Sequence, residues 1–155
     1  MPVSRITAFL PCDVEAVWAV VTDLSDTGWR SDMLATEMLP DGRFVERARG
    51  GVATVFTVTA CEPCRRWAFD LENRNLTGRW TGLFEPEKGG VRLTFTERVT
   101  LRRRWLAPLA VLYLRWQQRA YLEDLRRRLT ETGVLAQPQE ENRPACARRP
   151  AARGR

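Results

Sequence analysis

The chain has 155 residues, enough for one domain with a single core and room for a cavity. Its 44% hydrophobic content includes no apolar run close to the roughly 18 residues that a membrane span needs, the longest lying near residues 109–114. The net charge is +6, but from Gln137 onward five arginines stand against two glutamates and hold half of it, so the remainder is too mildly basic to argue for a nucleic-acid partner.

Nothing at the start resembles a signal peptide, because MPVSRITAFLPCDVE lacks a basic beginning, a long apolar stretch and a small-residue cleavage site. A cytoplasmic protein is expected. Residues 3–10 alternate Val3, Ile6, Ala8 and Leu10 with polar neighbours and end at Pro11, which predicts a first strand. Asp13 then precedes VEAVWAVVTD, where Val14, Val17, Trp18 and Val21 recur at helical spacing. A short amphipathic helix with Asp13 as N-cap is expected there. LSDTGW, residues 24–29, is read as a turn-rich stretch with one further helical turn, followed by a second strand over residues 34–39 and a turn at Pro40, Asp41 and Gly42.

Residues 43–101 read as an antiparallel meander, with strands over 44–49, 52–61, 65–72, 76–84 and 91–101 separated by turn residues. Alternation places Trp67, Phe69 and Leu71 on one face. Leu93, Phe95, Glu97 and Val99 share a face of the last strand, and Trp80 and Phe84 share one with Gly78 and Gly82, whose missing side chains suggest a bend or open volume.

A long helix is predicted from near Pro108 to just before Gly133, the first tolerated in an opening turn and the second a common C-terminal cap. Stepping 100° per residue gathers Val111, Leu114, Tyr121, Leu122, Leu125 and Leu129 on one stripe, with Gln118 its one strongly polar member. Leu109, Leu112, Tyr113, Trp116 and Ala120 form a second cluster on nearly the opposite side of the first half. The first half of this helix is therefore apolar almost all round. Residues 136–155, rich in Arg, Pro and Ala, cannot bury a core and are expected to form a disordered tail after a domain of residues 1–135.

The order of strand, short helices, antiparallel meander and long final helix resembles the helix-grip fold of the START-like superfamily, and more closely the polyketide cyclase/dehydrase-like SRPBCC proteins of bacteria. The residues that carry the resemblance are FLPCDVEAVWAVVTD with Trp29, the strand EPCRRWAFDL, and VRLTFTERV leading into the helix. It implies an α+β fold in which a curved antiparallel sheet of about seven strands wraps the C-terminal helix, with two short helices after the first strand. It also implies a mostly apolar cavity that binds lipids, sterols or polyketides and in some members performs cyclisation or dehydration. No catalytic signature comes with it.

The chain has no histidine, which removes the commonest general base, the commonest metal ligand and every Ser/His or Cys/His pair. No metal or cofactor is implied. Glu97 is the candidate catalytic residue, since burial beside Phe95 and Val99 would raise its pKa toward an acid/base range, and Tyr121 is a second; the alternative is a Glu97 near the strand end that reaches solvent or pairs with an arginine at the rim. Cys61 and Cys64 form a CxxC, read as two incidental cysteines in a turn.

Residues expected to line the cavity are Trp67, Phe69, Leu71, Trp80, Phe84, Leu93 and Phe95 from the sheet and Val111, Leu114 and Gln118 from the helix. Arg102, Arg103, Arg104 and Trp105, with Leu109, Leu112 and Trp116, form a basic and apolar surface suited to an anionic membrane or a second subunit. Three readings follow. The first is a binder of a hydrophobic small molecule or lipid-like ligand. The others are a metal-free polyketide cyclase or dehydratase acting in the same cavity, and a membrane-surface or dimerisation module.

Overall fold

The computed structural model describes residues 1–136. Seven strands, β1 (Val3–Leu10), β2 (Met33–Met38), β3 (Phe44–Ala48), β4 (Ala53–Glu62), β5 (Arg66–Glu72), β6 (Leu76–Glu87) and β7 (Gly90–Leu101), form one antiparallel sheet in the order β1-β7-β6-β5-β4-β3-β2. The helices are α1 (Val14–Thr22) and α2 (Ala107–Glu131), and a single 3-10 turn at Arg104–Leu106 leads into α2. This is the expected helix-grip arrangement. Breaks in register between Val58 and Ala60 in β4 and between Met33 and Ala35 in β2 add an unpaired residue to one side of a strand pair, which bends the sheet.

The alternation read from the sequence holds through β5 and β7. Trp67, Phe69 and Leu71 are buried, as are Val91, Leu93, Phe95 and Val99. β6 runs past its expected end at Phe84 and takes in Pro86, which is tolerated because β5 pairs with β6 only as far as Leu83 and leaves that edge free. Gly82 leaves no open volume, because a Cβ there would collide with the indole of Trp80, which lies over it.

Two local expectations differ from the structure. Residues 24–29 contain no helical turn, so one short helix follows β1 rather than two. The Asp23 carboxylate accepts bonds from the Ser25 N–H at 3.0 Å and from the Ser25 hydroxyl, a local side-chain turn that competes with helix formation. Asp13 occupies the N-cap position of α1 with extended backbone, but its side chain makes no capping bond.

Helix α2 packs mainly on β1, with smaller contacts to β7 and α1, while α1 covers β6, where Trp18 meets Phe84 edge to face at 5.0 Å. The buried residues of α2 are Leu114, Gln118, Leu122, Asp124, Leu125 and Leu129. None lies before Leu114. Gly133 takes φ +77 and ends the helix as expected, with the Val134 N–H returning to the Leu129 carbonyl at 2.9 Å. The expected tail falls, apart from Ala136, outside the described residues.

Candidate functional site

Because α2 buries no residue before Leu114, a cavity of about 490 Å³ remains between the sheet and the first half of the helix. Its wall is an aromatic run carried by adjacent strands. Phe44 stacks on Phe56 at 4.8 Å, Phe56 meets Phe69 edge to face at 5.0 Å, and Phe69 stacks on Trp80 at 4.8 Å. Trp80 then reaches Phe95 at 5.1 Å, and Phe95 meets Tyr121 of α2 at 5.7 Å. Rings held in stacked and edge-to-face pairs on neighbouring strands form a preorganised apolar surface.

Of the residues expected to line this space, Trp67, Phe69, Leu71, Trp80, Phe95, Leu114 and Gln118 do so, together with Glu97 and Tyr121. Phe84, Leu93 and Val111 do not. Phe84 and Leu93 point to the expected face but sit at the end of the sheet that α1 covers, so they are core. Val111, on α2, is half-buried and is absent from the lining. Gln118 is committed to the scaffold as well: its Oε1 accepts from the Ser4 hydroxyl at 2.7 Å and its Nε2 donates to the Ser4 carbonyl at 3.3 Å.

One end of the cavity is charged, and sequence reading missed most of it. Arg30 donates from Nη1 to Glu46 Oε1 at 2.7 Å, and from Nε and Nη2 to the two oxygens of Asp32 at 3.3 and 3.2 Å. Its guanidinium lies 5.2 Å from the centre of the Tyr121 ring. All four residues line the cavity. Burial works against the charge on Arg30, but Glu46 and Asp32 outweigh it and raise its pKa. Burial pushes Glu46 up despite Arg30. A signal for Glu46 existed in the strand parity, which sets it on the face of Phe44; Arg30 and Asp32 lie between elements, where no period marks them.

Glu97 has no hydrogen-bond partner among the described residues. Burial, opposed by Arg30 and reinforced by Glu46, pushes its carboxyl up to about 7. Tyr121 is driven above its ordinary range chiefly by burial, so it stays a neutral hydroxyl that can donate a hydrogen bond. Trp29, packed edge to face on Tyr121 at 5.3 Å, buries an indole N–H without a partner among the described residues.

The segment bearing Arg30 is fixed by α2. Asp124 accepts from the Ser31 N–H and hydroxyl, both at 2.7 Å, and from Arg127 at 2.9 Å, while Arg127 also donates to the Trp29 carbonyl at 3.0 Å. Burial alone would raise the Asp124 carboxyl, but these bonds together hold it below the usual range.

On the outer side of α2, Trp105, Leu112 and Trp116 are 72%, 64% and 61% exposed. Leu109 is exposed too and also lines the cavity, so it stands at the rim. Arg102, Arg103 and Arg104 are solvent-exposed beside them, with Arg102 within 3.5 Å of Glu72. Cys61 and Cys64 carry free thiols at a strand end and in the turn that follows, where Cys64 takes φ 58. Among the described residues no helix is long and apolar enough to cross a membrane.

Residues 1–130 match the family described as polyketide cyclase / dehydrase and lipid transport. No curated protein sequence matches the chain. Among solved structures, a START superfamily protein from Mycobacterium smegmatis is similar at TM-score 0.73 and 11% identity, over 84% of this chain and 98% of that one. A protein from Thermus thermophilus is similar at TM-score 0.71 and 21% identity, over 84% and 99%. DynU16, from the dynemicin biosynthetic locus, is similar at TM-score 0.67 and 17% identity, over 86% of this chain and 49% of its own. At these identities the likeness is one of fold.

Proposed function

The chain belongs to the polyketide cyclase / dehydrase and lipid transport family, and from that premise we propose that it binds a hydrophobic small molecule or lipid-like ligand between the sheet and the last helix. The observation that carries this reading is the cavity of about 490 Å³ walled by Phe44, Phe56, Phe69, Trp80 and Phe95, a volume within the roughly 300–1,000 Å³ typical of ligand sites. Native mass spectrometry of gently purified protein, together with titration by fluorescent lipids, tests it. A retained or displaceable apolar ligand is expected; neither retention nor binding overturns the reading.

A second reading, a polyketide cyclase or dehydratase acting in the same cavity, is favoured by Glu97, whose role is clearest for the dehydration. A carboxyl near neutrality can take a proton from a carbon next to a carbonyl and return it to a departing hydroxyl, so that one water leaves and the carboxyl is restored. Tyr121, held neutral, supplies a hydrogen bond to the developing enolate oxygen. Glu97→Gln would then abolish turnover of a β-hydroxyketone chain while the chain still binds, and retained turnover excludes the role.

The exposed Trp105, Leu109, Leu112 and Trp116 beside Arg102, Arg103 and Arg104 favour a further role for the first half of α2 in meeting an anionic membrane or a second copy of the chain. Vesicle sedimentation and the oligomeric state in solution separate those two. We take the protein to act in the cytoplasm, which cell fractionation checks.

A further inference from the structure

Arg30 is the only cationic side chain in the cavity lining, among the described residues, and it is already engaged. Three of its five N–H groups go to Glu46 and Asp32, and its face lies over Tyr121. Against this one positive charge the same end of the cavity presents Asp32, Glu46 and Glu97, and Glu97 has no hydrogen-bond partner among the described residues. The polar end therefore has acceptor capacity to spare and no free cation.

Resting on the reading of this cavity as an apolar-ligand site, we propose that its polar end selects amphiphiles whose head is a protonated amine or a neutral hydrogen-bond donor, and rejects carboxylates, with Glu97 as the group that meets the head. A carboxylate entering here would face two or three like charges and an arginine whose charge is already matched. An ammonium or hydroxyl would instead donate to the unpaired oxygens of Glu97. The field of the whole chain points the other way, since a net charge of +6 favours anions at long range. A preference for cationic heads would thus have to arise inside the cavity.

The preference depends on pH, because Glu97 titrates near neutrality. The ionisable groups around it are Arg30 and Asp32 before β2, Glu46 of β3, and Tyr113 and Tyr121 of α2; its strand neighbours across the ladders, Ser4 and Trp80, carry none. With Arg30 charged and both tyrosines neutral, the ionisation of Glu97 changes the local balance between pH 6 and pH 8.

The test is isothermal titration of the full chain with dodecylamine, dodecan-1-ol and dodecanoate at pH 6 and pH 8, each below its micelle concentration. Dodecylamine stays protonated at both values, so its affinity is expected to rise up to about ten-fold as Glu97 ionises, while that of dodecanoate falls over the same range. At pH 8 the amine is expected to bind at least about ten-fold tighter than the carboxylate. In Glu97→Gln the pH dependence of the amine disappears; the wild-type comparison stands without this variant if it folds poorly. Dodecanoate binding as tightly as the amine, or a pH-independent amine affinity, overturns the head-group inference while binding of dodecan-1-ol leaves the apolar-ligand reading intact. Binding of none of the three overturns both.

Discussion

Ser4 on the first strand and Gln118 in the middle of the last helix, 114 positions apart, exchange two hydrogen bonds in a buried setting. They mark the point on α2 where the seated half gives way to the half that roofs the cavity. Replacing Gln118 by Ala leaves the Ser4 hydroxyl without its acceptor and removes the side-chain donor from the Ser4 carbonyl, which keeps its place in the β1–β7 ladder, and a loss of ~1–3 kcal/mol in unfolding free energy is expected from denaturant titration. Ser4→Ala in the same background should add less than it does alone, because the two groups share one interaction.

Glu97 gives stability a dependence on pH with a definite sign. Its folded pKa of about 7 lies above the ordinary 4.5, so its favourable contribution is complete below about 4.5 and is lost as pH rises through 7. Glu97→Gln removes that loss. Relative to wild type the variant should therefore gain stability at pH 8, by at most ~3 kcal/mol, and show no such gain at pH 4.5. Thermal melts of both proteins across this range check it, and a gain that is larger at acid pH would contradict the burial of this carboxyl.

Asp124 behaves in the opposite sense. Its carboxyl is held below the usual range, so its contribution is present above about 3.8 and is lost as pH falls through the lowered value. Asp124→Ala strips Ser31 and Arg127 of their acceptor and should cost ~2–4 kcal/mol at neutral pH, with the difference from wild type shrinking in strong acid. It should also loosen the segment that carries Arg30, which hydrogen exchange at residues 29–32 would detect.

Leu112→Arg is expected to leave the fold intact, with a stability change within about 0.5 kcal/mol, since Leu112 lies on the solvent side of α2. If the outer face of the helix meets vesicles or a second copy, the same substitution abolishes that association. Circular dichroism and sedimentation report the two effects separately, and gross unfolding would mean that this side of the helix is core.

The helix-grip architecture was legible because its two periods are strong: the alternation through Trp67, Phe69 and Leu71 and the spacing from Leu114 to Leu129 both survive in the structure. Alternation assigns a face but no position along the strand, which is why it sends Phe84 and Leu93 to the cavity when they lie beneath α1. The charged end was the hardest part to see. Arg30 and Asp32 lie in a connection whose course is set by bonds to Asp124 and Arg127, 93 or more positions away in the chain, and no local pattern encodes such contacts. Glu46, like Glu97, carried a readable signal, as a carboxylate on the apolar face of a strand. The missing helical turn at residues 24–29 reflects the same difficulty at short range, where the Asp23 carboxylate wins the Ser25 N–H.

The six tryptophans are divided by the two halves of this design. Trp29, Trp67 and Trp80 line the cavity, Trp18 packs on Phe84, and Trp105 in the turn before α2 and Trp116 on its outer face stand in solvent. The protein's own emission is therefore a two-channel optical signal: the blue, enclosed component responds to whatever fills the cavity, and the red, accessible component to whatever touches the outer face of the helix. A water-soluble quencher silences the second without the first, so cavity loading and surface association can be followed at once in an unlabelled sample.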